Sequence, residues 1–158
     1  MAVDPQQDIP LKLQAIYVLE TVAPPGLNAD RFLPPTPVDI SVDHAGNALE
    51  GTVPQHLKDA EPWKLLEHES IRLQMIPAMI EATRGLAEEA AKSTIAAARQ
   101  HMLESLGADY KRLEYLKQVN DNIREEELVH ARAAITELDE TLAAARLRLD
   151  AIRLVAAC

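Results

Sequence analysis

Few residues of this chain have the types and spacing that chemistry needs. If two helical stretches fold back on each other, His101 comes near Glu140 and Glu104 near Glu137, and Glu127-x-x-His130 supplies a Glu-x-x-His spacing of the kind used in carboxylate-bridged metal sites. Such sites direct every ligand inward from four helices. Here the candidates flank an apolar stripe, so the expectation is solvated charge rather than a metal centre. Gly46 and Gly51 have the spacing of a phosphate loop, but Thr52 and Val53 stand where a lysine and a hydroxyl are required, which favours a turn between strands. Nucleophile elbows, H-E-x-x-H helices and paired C-x-x-C clusters are absent from the sequence, and the one cysteine, Cys158, is its last residue. Catalytic, cofactor and metal residues are therefore none.

The elements that would position these residues are dominated by the stretch from Glu69 to Val155, which reads as two long helices folded back around Val119-Asn120-Asp121-Asn122. Leu128, Ala131, Ile135, Leu138, Leu142, Ala145, Leu149 and Ile152 alternate in steps of three and four, the seam of a helix packed on a partner helix. Asn122 is placed to cap that helix, with Glu125 closing a capping box. A looser stripe through Ile80, Thr83, Ala87, Ala91, Ile95, Ala98, Met102, Leu106, Leu113 and Leu116 supplies the first arm, weakened by Thr83 and its alanines. Folding the arms at the tip sets Leu113 against Leu128, Met102 against Leu138, Ala98 against Leu142 and Ala91 against Leu149. Pro77 predicts a break or kink at the start of the first arm.

Upstream, Leu11, Leu13, Tyr17 and Leu19 share one face of a strand whose other face, with Ile16 and Val18, is also partly apolar, so the strand should be covered on both sides. Prolines 34, 35 and 37 forbid helix. Val38, Ile40 and Val42 alternate with polar residues as a second strand, the DHAGN turn follows, and Ala48 to Val53 is expected to return as a third. Pro62 should open a short helix in which Trp63 is a packing anchor. The predicted fold class is α+β: a small antiparallel sheet of about three strands packed with a long antiparallel helical hairpin. A single domain over residues 1–158 is expected, divided into a strand region (1–53), a connecting helix (54–76) and the hairpin (77–158).

The net charge is −9, and no basic stripe is visible, so the isolated chain is not expected to bind nucleic acid directly. No apolar run is long enough to span a membrane, and the N-terminus has no signal-peptide pattern. A cytoplasmic chain is expected.

Five segments, in order, carry a resemblance: LQAIYVLETVAP, DRFLPPTPV, DHAGN, RLEYLKQVNDNIREEEL and RLRLDAIRLV. From about Leu11 to Val155 the chain resembles the C-terminal domain of the bacterial RNA polymerase-associated, ATP-dependent helicase family (RapA, also called HepA). That resemblance implies a piece of a longer SWI/SNF-type ATPase. The parent would bind RNA polymerase, hydrolyse ATP with Mg in two RecA-like lobes and release stalled polymerase for reuse. None of the lobes' motifs occurs here, so it implies an accessory module without catalysis or cofactor, whose partners are the polymerase core and the parent's own ATPase domains. Weak self-association of the excised domain is also expected. Arg31, Phe32, Asn122 and Arg124, in a loop and at the hairpin tip, are the candidate partner contacts. The alternative is an autonomous acidic helical-hairpin adaptor.

Overall fold

The alternation in LKLQAIYVLE produces β1 (Leu11–Glu20) in the computed structural model, which describes residues 11–50 and 61–156. Leu11, Leu13, Ala15, Tyr17 and Leu19 are buried on one face, while Gln14 is buried and Ile16 and Val18 half-buried on the other. This cover follows from position: β1 is the middle strand of an antiparallel three-stranded sheet ordered β2-β1-β3.

β2 (Thr36–Asp43) is the predicted second strand and ends in a turn that its own sequence builds. The Asp43 carboxylate accepts from the backbone N–H groups of Ala45 and Asn47, at 2.9 and 2.8 Å, and from the Asn47 side chain at 3.0 Å. Gly46 takes φ +83°, open to glycine without strain. Those three donors, the Asn47 amide first, hold Asp43 below the ordinary carboxylate pKa. Over residues 48–50 the return is a bridge rather than a strand. Ala48 makes a single antiparallel bridge with Val42, and Leu49 N–H donates to Ser41 at 2.8 Å. The rest of the predicted return, with Pro54, Gly51 and Cys158, lies outside the described residues.

The third strand comes from the other end of the chain. Residues 146–156, expected to continue the second helix, are β3 (Arg146–Ala156), paired with β1. The helical seam thus stops at Leu142, and Leu149 and Ile152 are 41% and 44% exposed rather than packed on a partner helix. Cross-strand charge accompanies the change: Arg148 and Arg146 approach Glu20 of β1 at 3.6 and 4.0 Å.

Among the helices, α1 (Pro62–Leu66) begins at its proline as expected, but Trp63 is 58% exposed and not the buried anchor expected. A π turn over Ile71–Met75 then runs directly into α2 (Ile76–Val119), so Pro77 does not end the helix. Proline lacks a donor for the carbonyl four residues back and crowds it. The wider π turn immediately upstream relieves both demands. α3 (Glu125–Ala143) completes the helical set.

Two units share these elements. The first is drawn from the described residues of Met1–Tyr17, Pro37–Glu89 and Leu149–Cys158. Its buried residues include Leu11, Leu13, Val42, Ile71, Met79 and Ala87. A polar pair is buried with them: Tyr17 Oη lies 2.9 Å from Thr83 Oγ1, and Thr83 donates to its own helix at Ile80 O, 2.7 Å away. The second unit comprises Val18–Thr36 and Ala90–Arg148, with Leu19, Phe32, Leu33, Ala98, Met102, Leu128, Leu138 and Leu142 buried.

Candidate functional site

Within the second unit the two long helices form the predicted hairpin. Lys117 pairs with Glu125, and the Arg132 guanidinium lies 5.8 Å from the Tyr110 ring centroid. Both contacts fall next to the expected register. Arg99 Nε and Nη2 donate to the two oxygens of Asp139 at 2.7 and 2.8 Å, a two-pronged bond between the arms. Hydrogen bonding to Arg99 keeps the Asp139 carboxyl below its ordinary pKa, and the same contact raises that of Arg99. Sequence reading missed this pair because both residues lie beside the apolar stripe that it followed.

The tip is built differently from the expectation. Asn120 Oδ1 accepts from the Asn122 N–H at 3.0 Å, which closes the turn. Asn122 is a turn residue and not the cap: α3 starts two positions later than predicted, with Arg124 extended at the cap position, φ −82° and ψ 150°. The reciprocal bond comes from Glu127, whose carboxylate accepts from Arg124 N–H at 3.3 Å. Glu125 is engaged by Lys117 instead. Glu125, Glu126 and Glu127 occupy the first turn, where the helix dipole favours negative charge. Asn122 and Arg124 are both exposed at this end.

The other two candidates sit in the loop after β1. Two 3₁₀ turns, Pro25–Leu27 and Ala29–Arg31, are joined by Asn28 in the left-handed region, φ 50°. Arg31 lies over the Phe32 ring, 5.0 Å from its centroid, and reaches Ser105 Oγ at 3.5 Å. Phe32 is 9% exposed and meets the His101 ring edge-on at 5.7 Å. The structure therefore separates the four: Arg31, Asn122 and Arg124 are exposed, while Phe32 is buried and holds the loop against α2.

Three residues of the metal-like spacings have other neighbours. His101 faces Phe32, Glu104 accepts from Gln100 at 2.9 Å, and Glu127 is part of the helix cap. Among the described residues no three of His, Cys, Asp or Glu converge on one point. The hairpin also exposes large apolar side chains. Tyr115 and Val119, one turn apart near the end of α2, are 64% and 66% exposed, and Val129 near the start of α3 is 59% exposed. No helix among the described residues is long and apolar enough to cross a membrane.

Comparison with known proteins gives the family of this chain. The family model of the RNA polymerase recycling family C-terminal region matches residues 3–157. The chain is similar to the RNA polymerase-associated protein RapA of Cronobacter sakazakii (strain ATCC BAA-894), at 38% identity over 150 residues. The match takes in 92% of this chain and 16% of that relative, so the chain spans about one sixth of the relative's length. With the family model covering nearly every residue, this chain belongs to the RNA polymerase recycling family, as its C-terminal domain.

Proposed function

We propose that the chain is a non-catalytic docking module of an RNA polymerase-associated, ATP-dependent translocase, and that it acts in the cytoplasm by contacting core polymerase or the ATPase part of its own protein. ATP and Mg belong to that other part. The observation that carries the reading is the exposed apolar end of the hairpin in a member of this family: Tyr115 and Val119 stand one turn apart on α2 where solvation alone would place polar residues. Weak self-association of the isolated chain through such surface is part of the same reading.

The test is retention of purified core RNA polymerase by the immobilised chain, compared with the Tyr115→Asp/Val119→Asp variant. Retention of polymerase by the native chain and its loss in the variant is the expected outcome. No retention, or equal retention by the variant, overturns the docking role of this end. Calorimetric titration with Mg-ATP is expected to give no binding heat, and ATP turnover by the chain alone would overturn the non-catalytic assignment.

A further inference from the structure

Beside the buried seam of α3 runs a groove. Tyr110 of α2 with Leu128, Val129, Ala133 and Thr136 of α3 form its floor, and Glu137 and Glu140 stand at one end. Positions 129, 133, 136 and 140 recur at helical spacing, so they make one continuous stripe. From Val129 to Glu140 that stripe extends roughly 16 Å, or about three helical turns.

The charges along it are arranged by what each already touches. Arg132 covers the Tyr110 ring, and Glu125, at the tip end of the groove, is neutralised by Lys117. Thr136 turns its hydroxyl onto its own helix, donating to the Arg132 carbonyl at 3.2 Å. Glu137 and Glu140 have no cationic partner among the described residues. One end is thus apolar, with Val129 59% exposed, and the other carries two uncompensated carboxylates.

We propose that this groove receives a basic amphipathic helix of a partner protein. The partner's apolar residues would rest on Val129 and Ala133, and its Lys or Arg side chains against Glu137 and Glu140. A helix fits because its anchors repeat every three or four residues over the same three turns, and because Ala133 and Thr136 leave room for close approach in the middle. Nucleic acid and anionic membrane are disfavoured by the carboxylates. In this groove, as distinct from the apolar tip at Tyr115 and Val119, a second copy of this chain, at net charge −9, would bring like charge to Glu137 and Glu140. The inference rests on the reading of the chain as a docking module and names one surface and the chemistry of its occupant.

The experiment measures fluorescence anisotropy of three labelled amidated peptides of about 18 residues against the full chain. One carries leucine on one helical face and lysine on the other, the second is its scramble, and the third has glutamate in place of lysine. The ordered lysine peptide is expected to bind at least about tenfold more tightly than its scramble. Glu137→Lys/Glu140→Lys should lower that affinity about tenfold and bring up binding of the glutamate peptide. Val129→Asp should weaken the lysine peptide while Glu81→Lys, at an exposed position in the first unit, leaves it unchanged. Equal binding of ordered and scrambled peptides, an equal loss in Glu81→Lys, or indifference to the groove variants overturns the proposal. So does a concentration-dependent dimer that Val129→Asp abolishes, since a second copy is then the occupant. If core polymerase is still retained while the peptides fail these criteria, the docking role stands and the groove assignment falls.

Discussion

Removing the Thr83 hydroxyl alone should cost more than removing both hydroxyls of the buried Tyr17–Thr83 pair. The Thr83 hydroxyl has a single hydrogen, and the 2.7 Å contact to the Ile80 carbonyl uses it, so Tyr17 donates to Thr83 Oγ1 across the 2.9 Å gap. Tyr17→Phe then deletes a donor and leaves a hydroxyl that still has its own bond, a loss of about 1 kcal/mol. Thr83→Val deletes the acceptor and leaves the phenol unpaired inside a residue 4% exposed, costing about 1–3 kcal/mol. In the double variant nothing polar remains to be satisfied, and the packing volumes are nearly kept, so it should lie within about 1 kcal/mol of the parent. The coupling free energy is therefore about 2 kcal/mol in favour of the pair.

Urea denaturation followed by far-UV circular dichroism on the four proteins measures this, provided the m-value is constant across the set. In thermal melts, each 1 kcal/mol corresponds to about 2–4 °C for a chain of this size. If the double variant costs the full sum of the singles, about 3 kcal/mol, the two hydroxyls do not interact and the donor assignment is wrong.

Three further perturbations address separate elements. Leu142→Ala, at a fully buried position, should cost about 2–5 kcal/mol, whereas Leu149→Ala on β3 should cost less than about 1.5, and equal losses in chemical denaturation would restore the longer helix. Gly46→Ala places a Cβ 3.2 Å from that of Ala82 at a positive φ, and should lose about 1–2 kcal/mol in the same assay, with no loss counting against the turn geometry. Asp43 has a lowered folded-state pKa, so its contribution is complete above the ordinary aspartate value near 3.8 and disappears as the pH falls through the lower folded value. Acid titration in fixed urea should show this component in the native chain and not in Asp43→Asn.

The sequence made legible whatever a single period or a single turn residue determines. β1, β2, the DHAGN turn and the hairpin near its tip follow from residue spacing and from glycine or aspartate chemistry, whereas the facing of Ala91 with Leu149 fails because Leu149 lies on β3. Features decided by a partner distant in sequence were less accessible. Thr83 interrupts an apolar stripe and reads as a weakness, yet it is the acceptor for Tyr17, 66 residues away. A lone hydroxyl inside an otherwise apolar face was the available signal, since such a group needs a partner. The candidate site divides in the same way. Arg31, Asn122 and Arg124 lie on the surface as loop and tip residues tend to, while Phe32 was not separable from them until His101 came beside it. Val129 and Tyr115 have the side chains of core residues, and only three-dimensional exposure marks them as surface.

The segment RLRLDAIRLV explains the largest misreading. Leu142, Ala145, Leu149 and Ile152 keep the three-and-four spacing, but Arg146-Leu147-Arg148-Leu149 also alternates with period 2, and over so short a run both patterns hold. No glycine or proline stops the helix; Ala143-Ala144-Ala145 would extend it on propensity alone. What decides is pairing: without β3 one edge of β1 would be left open, and Glu20 on β1 meets Arg146 and Arg148. As a strand, residues 146–156 satisfy backbone groups on the middle strand that a continued helix would leave without partners, a loss larger than any difference in propensity. Glu20→Lys should therefore weaken β3 specifically. Protection of the amides of residues 146–156 from hydrogen exchange should fall while that of α3 persists. Equal loss in both would mean that strand and helix are held by the same contacts, and that cross-strand charge does not select the strand.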